Sequence, residues 1–280
     1  MSLVGYNFGE ILRSSRVFKG LTEAQLAEGI CSEVDIIQFE KEEKYPTIDQ
    51  LFKMASKLEV ELNHFFDIAS TDTYNYAIAV TELIKKYKRE RDYAAIHEII
   101  QNEQDNPLFK HTSFNQFLVW HQGICIYYLE GDRQKSISLL GQALDMTHQE
   151  QAGMSEREIE ILTSMAIIEK DSGNLNKAVE LFQNALNELT GLPQVLDSRI
   201  WLRILYGLAQ ALSKIERYEE SLIYCSKGID NCIYEENMYL FGELYYQTGM
   251  NFIKLGKEDK GKEYLRSEEH TSELQSPLDI

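Results

Sequence analysis

In Gly173-Asn174-Leu175-Asn176-Lys177-Ala178-Val179-Glu180-Leu181-Phe182-Gln183-Asn184-Ala185, two small residues, Ala178 and Ala185, flank the large Phe182 on one helical face. The same small–large–small order recurs at Ser136, Leu140 and Ala143, and again at Ser221, Cys225 and Gly228. A partial copy lies at Gly261 and Leu265. The first members of successive sets are 42, 43 and 40 residues apart. Twelve residues ahead of each first member stands Ile124, Ala166, Ala209 or Gly249, mostly small, where the two helices of one unit are expected to touch. Gly131, Gly173 and Gly256 mark the turn inside three of these units, and a weaker copy, Arg91-Asp92-Tyr93-Ala94-Ala95-Ile96, begins the array. Self-similarity at a near-fixed spacing is the mark of stacked helical hairpins, each too small to bury its apolar face alone.

From Thr73 onward every segment has helical period and the helices come in pairs. The pattern is that of tetratricopeptide repeats, stretched beyond the usual period of about 34 by longer loops between units. Four in-register anchor sets separate this from an irregular helical bundle. The expected fold is all-α, with about five repeats over residues 71–266 forming a right-handed superhelix. Its inner face is lined by the first helix of each pair. Counting from the anchors, His121, Thr163, Arg203, Tyr206, Gln210, Tyr246 and Gln247 line or approach that concave face. This mixture of polar and aromatic groups suits an extended peptide, with hydrogen bonds for its backbone and pockets for its side chains. Each residue alone fits a merely solvated inner face equally well.

Ahead of the array, residues 1–70 read as five short helices. The first, about Val4 to Ser15, places Phe8, Ile11 and Leu12 at helical spacing, and Gly20 breaks it. Thr22 is placed to cap a second helix, with Gln25 completing a capping box and Leu26, Ala27 and Ile30 forming its apolar face. A break at Gly29 to Ser32 leads to a third, Glu33 to about Glu42, which Tyr45-Pro46-Thr47 ends. Thr47 or Asp49 starts a fourth with Leu51, Phe52, Met54, Ala55 and Leu58, and a fifth runs from about Leu62 to Phe66. The tight link between the second and third helices fits a helix-turn-helix.

Gly20-Leu21-Thr22-x-x-Gln25-Leu26-Ala27, the apolar helix ending in Glu40, then Tyr45-Pro46-Thr47 and a Leu-x-x-Met-Ala-x-x-Leu helix resemble the Xre/Cro-type helix-turn-helix over residues 20–66. That resemblance implies that the third helix enters the DNA major groove, with Ser32, Glu33, Val34, Ile37 and Gln38 facing base edges. Lys41 and Lys44 would lie near phosphates, and Thr22 belongs to the same DNA-binding set. Glu23 stands where the family often has Gln, and the reading helix carries Glu33 and Asp35 but no Arg. Glutamate accepts a hydrogen bond from cytosine N4, so acidity there is compatible with base reading. The alternative is a degenerate helix-turn-helix used for protein contacts.

The formal net charge of −17 excludes a protein that coats nucleic acid non-specifically, because phosphate binding needs clustered Lys and Arg. Residues 1–70 hold 7 basic and 12 acidic side chains, a weak electrostatic footprint for DNA. Cys31, Cys125, Cys225 and Cys232 form no Cys-x-x-Cys pair, which suits a reduced, cytoplasmic protein. No signal peptide precedes the first helix, and no apolar run approaches the roughly 18–20 residues of a membrane span. Phosphate-cradling glycine loops, His-Glu-x-x-His and zinc-spaced Cys/His clusters are missing, so no enzyme, metal or cofactor is expected.

A helix-turn-helix followed by such repeats, with Gly20-Leu21-Thr22, Leu26, Ile30-Cys31, Tyr45-Pro46, His64-Phe65, Phe114-x-Gln116-Phe117-Leu118-x-Trp120, Arg217-Tyr218-Glu219-Glu220-Ser221-Leu222 and Leu244-Tyr245-Tyr246-Gln247, resembles the PlcR-type peptide-sensing quorum regulators of Gram-positive bacteria, the RNPP family. The resemblance implies a homodimer whose repeat domain takes a secreted and re-imported oligopeptide, and whose DNA-binding domains are then repositioned on a two-fold operator. It also implies that Arg89 and Arg91 hold acidic groups of the peptide and that Gln247 binds the peptide. Two family asparagines that grip the peptide backbone correspond to Thr163 and Gly207. Lys85-Lys86-Tyr87-Lys88-Arg89-Glu90-Arg91 also fits a solvated helix face, and a tetratricopeptide interaction scaffold with a degenerate helix-turn-helix is the alternative function.

Arg266-Ser267-Glu268-Glu269-His270-Thr271-Ser272-Glu273-Leu274-Gln275-Ser276 reads like the in-frame translation of a common sequencing adapter, without helical periodicity. Residues 267–280 are therefore expected to be a non-native tail, with the last repeat's second helix cut off near Leu265.

Overall fold

Thr22, Ser32 and Thr47 each leave an extended backbone and start a helix. Each side chain accepts from the amide three residues on, and that residue's side chain reaches back to the cap's own N–H. Each such cap satisfies donors that a helix start otherwise leaves open, for about 1 kcal/mol. These three caps organise the first part of the chain in a computed structural model that describes residues 8–62, 65, 72–148 and 152–275. Two compact units result, residues 1–85 and 86–280. Among the described residues all regular structure is helical.

The first unit holds α1 (Phe8–Phe18), α2 (Glu23–Ala27), α3 (Glu33–Glu40) and α4 (Ile48–Leu58). Phe8, Leu12, Leu26, Ile36, Phe39, Met54, Leu58 and Phe65 form its core. Residues 4–7 of the expected first helix lie outside the described residues. So do Asn63, His64 and Phe66 of the expected fifth helix. Arg16 is the polar hub of this unit. Its buried guanidinium donates to Glu40 at 2.5 and 2.9 Å, to Glu23 at 2.8 Å and to the Leu21 carbonyl at 2.9 Å, tying α1 to α2 and α3.

α5 (Asp72–Glu90) crosses the boundary between the units. The second unit continues with α6 (Tyr93–Glu103), a 3-10 turn at Pro107–Lys110, α7 (Thr112–Glu130), α8 (Arg133–Asp145), α9 (Glu156–Asp171) and α10 (Leu175–Gly191). It ends with α11 (Arg199–Lys214), α12 (Tyr218–Tyr234), α13 (Phe241–Lys254) and α14 (Glu258–Gln275). Consecutive helices pack as hairpins: α7 with α8, α9 with α10, α11 with α12, α13 with α14. The first helices α7, α9, α11 and α13 also pack on one another in sequence, which makes them one continuous layer. This is the tetratricopeptide arrangement expected from the repeat register.

The anchors sit where the register places them. Ala178, Phe182 and Ala185 are fully buried, as are Ala166 and Ala209 twelve residues ahead of their anchors. The Ser136 and Ser221 hydroxyls donate to the Gly123 and Ala209 carbonyls at 2.7 Å, so a small polar anchor both fits and satisfies the facing helix. At the last hairpin, a Cβ on Gly249 would stand 2.9 Å from Leu265 and 3.0 Å from the Gly261 carbonyl, so the close approach of α13 and α14 needs glycine.

The turn inside each hairpin uses a left-handed residue, and the series is complete: Arg91, Gly131, Gly173, Glu216 and Gly256 all have φ between 59° and 86°. Two of the five positions therefore hold non-glycine residues, at a cost of about 1 kcal/mol each. α14 continues to Gln275, so the expected end near Leu265 is not where its backbone helix stops; residues 276–280 lie outside the described residues.

Candidate functional site

The first-helix layer of the repeat unit encloses a cavity of about 480 Å³. Trp120, Ile124 and Tyr128 come from α7, Glu160, Thr163, Ser164 and Ile167 from α9, and Ile200 and Arg203 from α11. Glu243 of α13 and the preceding Tyr239 and Leu240 close one end, and Lys88, Arg89, Arg91 and Tyr93 form the other. Because every second helix is used to back this layer, the side chains of the first helices are free to face inward.

Local contacts fix the walls. Trp120 Nε1 donates to Ser164 Oγ at 2.9 Å, and Ser164 Oγ donates to the Glu160 carbonyl at 2.9 Å. Lys88 Nζ stands 4.7 Å above the Trp120 ring, a cation–π contact. Tyr93 and Tyr128 stack with centroids 4.2 Å apart and planes 8° apart. Burial pushes both phenols above their ordinary range, so they act as neutral donors. Arg203 pairs with Glu160 across α9 and α11. Arg89 and Arg91, both exposed, take part in no ion pair among the described residues. The cavity thus carries four cationic side chains against Glu160 and Glu243, in a chain whose net charge is −17.

Of the nine residues expected on the peptide face, Arg89, Arg91, Thr163 and Arg203 line this cavity. His121 does not. It is 1% exposed, its ring is packed against Phe117 and Trp120, and Nδ1 meets the Phe117 carbonyl at 2.8 Å. The helix α7 is apolar almost all round, so a one-position error in register exchanges core for cavity. Tyr206 and Gln210 lie beyond the cavity in a chain of hydrogen bonds: Lys170 Nζ donates to Gln210 Oε1 at 2.6 Å, and Gln210 Nε2 to Tyr206 Oη at 2.7 Å. Tyr246 is 49% exposed, and Gln247 donates to Asn251 at 3.1 Å; neither lines the cavity. The sequence reading missed Lys88, Tyr93, Trp120 and Tyr128. The Arg91-Asp92-Tyr93 start of the weak repeat and the Phe117–Trp120 motif were the available signals.

Gly207 has a spatial reason. A Cβ there would stand 2.3 Å from Phe182, so the space an asparagine would need is occupied by the large anchor of the preceding hairpin.

In the first unit, α3 presents Glu33, Val34 and Ile37 to solvent, with Gln38 half-buried, and Lys41 is exposed just past its end. Ser32 is committed to its cap: its hydroxyl donates to Asp35 at 2.7 Å and accepts from the Asp35 amide. Lys44 is committed too, to Asp35 at 2.6 Å. Lys44 and Ser32 together hold the Asp35 carboxyl down at about 2. The Thr22 hydroxyl accepts from Gln25 and keeps its own proton to donate.

The profile of the RNPP family C-terminal domain matches residues 80–271. The chain belongs to the RNPP family. Bacillus thuringiensis PlcR, solved in complex with the peptide PapR7 and DNA, is 26% identical, with a TM-score of 0.82 over 96% of this chain and 95% of that one. The apo form of the same protein is 25% identical, with a TM-score of 0.64 over 92% and 91%. The Streptococcus dysgalactiae SHP pheromone receptor Rgg2 shares the fold, at 16% identity and a TM-score of 0.61 over 93% and 91%. No curated protein sequence matches the chain. No described helix of this family member is long and apolar enough to cross a membrane. All four cysteines are free thiols, and burial lifts Cys125 to about 12 and Cys225 and Cys232 to about 11, which leaves those three unreactive near neutral pH.

Proposed function

We propose that this chain is a peptide-responsive, DNA-binding transcriptional regulator of the quorum-sensing type, acting as a cytoplasmic homodimer and not as an enzyme. Residues 1–70 form the DNA-binding domain and residues 71–266 the peptide-binding domain, with residues 267–280 a non-native tail. The observation that carries the reading is the cavity with two arginines outside any described ion pair, in a strongly acidic chain of the RNPP family. PlcR, its relative over nearly the whole length, was solved with a peptide and DNA together.

A short peptide with an acidic group and an aromatic side chain fits that cavity. Arg89 and Arg91 supply charge-assisted hydrogen bonds to the acid, while Trp120 and the Tyr93–Tyr128 stack supply flat apolar walls. Thr163 and Arg203 face the same space, and Tyr206, Gln210, Tyr246 and Gln247 extend the groove for a longer ligand. DNA contacts fall to Thr22, Glu33, Val34, Ile37, Gln38 and Lys41. The engagement of Lys44 with Asp35 and of Ser32 with its cap limits what those two add.

The test is selection from a randomised duplex DNA library, with the full chain alone and with a pooled library of seven-residue peptides. One enriched two-fold sequence, with its yield changed by the peptide pool, is the expected result. No enrichment in either arm leaves the interaction-scaffold reading in its place.

A further inference from the structure

α3 buries Ile36 and Phe39 and turns a different stripe outward. Val34 is 61% exposed and Ile37 37% exposed, one helical turn apart, and Lys41 follows a further turn on. Two β-branched aliphatic side chains on the exposed face of one short helix are costly to leave in water. The charges around them are arranged in a particular way. Asp35, the acid between them in sequence, is only partly exposed, is paired with Lys44 and is bound into the Ser32 cap. Its charge is therefore neutralised locally. Lys41 takes part in no ion pair among the described residues, and so stays available to a phosphate at the end of the stripe. Glu33 is exposed at the other end and suits a cytosine N4 donor.

No arginine stands on this face, and Gln38, the one α3 side chain able to make bidentate base contacts, is half-buried. The apolar groups of the major groove are the thymine 5-methyls. We propose that Val34 and Ile37 are specificity-determining residues that read thymine methyl groups, so that the operator half-site is chosen by apolar contact more than by hydrogen bonding. This rests on the DNA-binding reading above and names what that surface recognises. A protein partner docked on the same stripe would be blind to the chemistry of a base.

The experiment uses the full chain and the duplex recovered by the selection, with each thymine of a half-site replaced in turn by uracil, which removes only the methyl. At one or more positions the wild-type chain is expected to lose about fourfold in affinity, the factor that ~0.8 kcal/mol per buried CH₂ corresponds to. Val34→Ala or Ile37→Ala is expected to bind the thymine duplex more weakly and to lose no more on uracil replacement, while Val34→Ile keeps the wild-type sensitivity. Both positions are exposed, so the truncations leave folding intact. Sequence-specific binding that is indifferent to uracil everywhere overturns the inference and leaves the DNA-binding reading standing. Uracil sensitivity that persists in both alanine variants overturns it as well. Failure of any duplex to be enriched overturns the DNA-binding reading itself, and the inference with it.

Discussion

Both units tie many of their cations to acids, and they differ in which ones they leave over. In the first, five of the seven basic side chains of residues 1–70 are tied to acids of the same unit: Arg16, Lys19, Lys44, Lys53 and Lys57. In the second, Arg89 and Arg91 stand at a cavity without an ion pair among the described residues. A basic residue count therefore says little about where a polyanion or an acidic ligand goes. What matters is which charges the fold has already neutralised.

The comparison breaks hardest at Arg16. Arg16→Ala leaves the Glu40 carboxylate buried without its partner, and should destabilise the first unit by about 3–5 kcal/mol in denaturant unfolding of the full chain. The double replacement Arg16→Met with Glu40→Leu should recover most of that loss, since the cation there serves structure and not ligand. The cavity arginines should behave the other way. Arg89→Ala and Arg91→Ala should leave the unfolding midpoint nearly unchanged. Each should weaken a selected acidic peptide by about tenfold or more in calorimetric titration, and a peptide without an acid should not register either change.

A smaller effect separates Arg91 from its counterpart in the repeat register. Arg91→Gly and Glu216→Gly both relax a left-handed backbone, and each should raise stability by about 0.5 kcal/mol. That is the ~1 kcal/mol of strain less the entropy that glycine adds to the unfolded chain. Only the first should cost peptide affinity. Equal binding by the two variants would mean that Arg91 is strained for no ligand.

The smallest effect concerns Asp35. Its carboxyl titrates at about 2 when folded, below the ordinary value of about 3.9, so its contribution is present above pH ~4 and fades as the pH falls through about 2. The stability difference between wild type and Asp35→Asn should shrink across that window, and a constant difference would remove Lys44 and Ser32 as its source.

The array was legible because its signal is steric and repeated. A small residue opposite a large one at steps of 42, 43 and 40 leaves few alternatives, and Ala178, Phe182 and Ala185 are buried as that spacing requires. The capping box at Thr22 was equally legible, being local in sequence. The cavity was legible only in outline. Arg203 meets Glu160 over a gap of 43 residues, and Trp120 meets Ser164 over 44, so nothing near either residue announces the pairing. His121 shows the limit of register counting on a helix apolar almost all round. Arg91 and Glu216 show another: their left-handed turns are set by the hairpin and not by a glycine at that position.

Phe182 and Gly207 are held in mutual dependence, and this constrains the order in which the chain accepts change. An amide side chain introduced at position 207 alone collides with the ring. A smaller side chain at 182 alone opens a void at the centre of a hairpin. Either single step is penalised, so a mutational route to an amide at 207 passes through a less stable intermediate whichever substitution comes first.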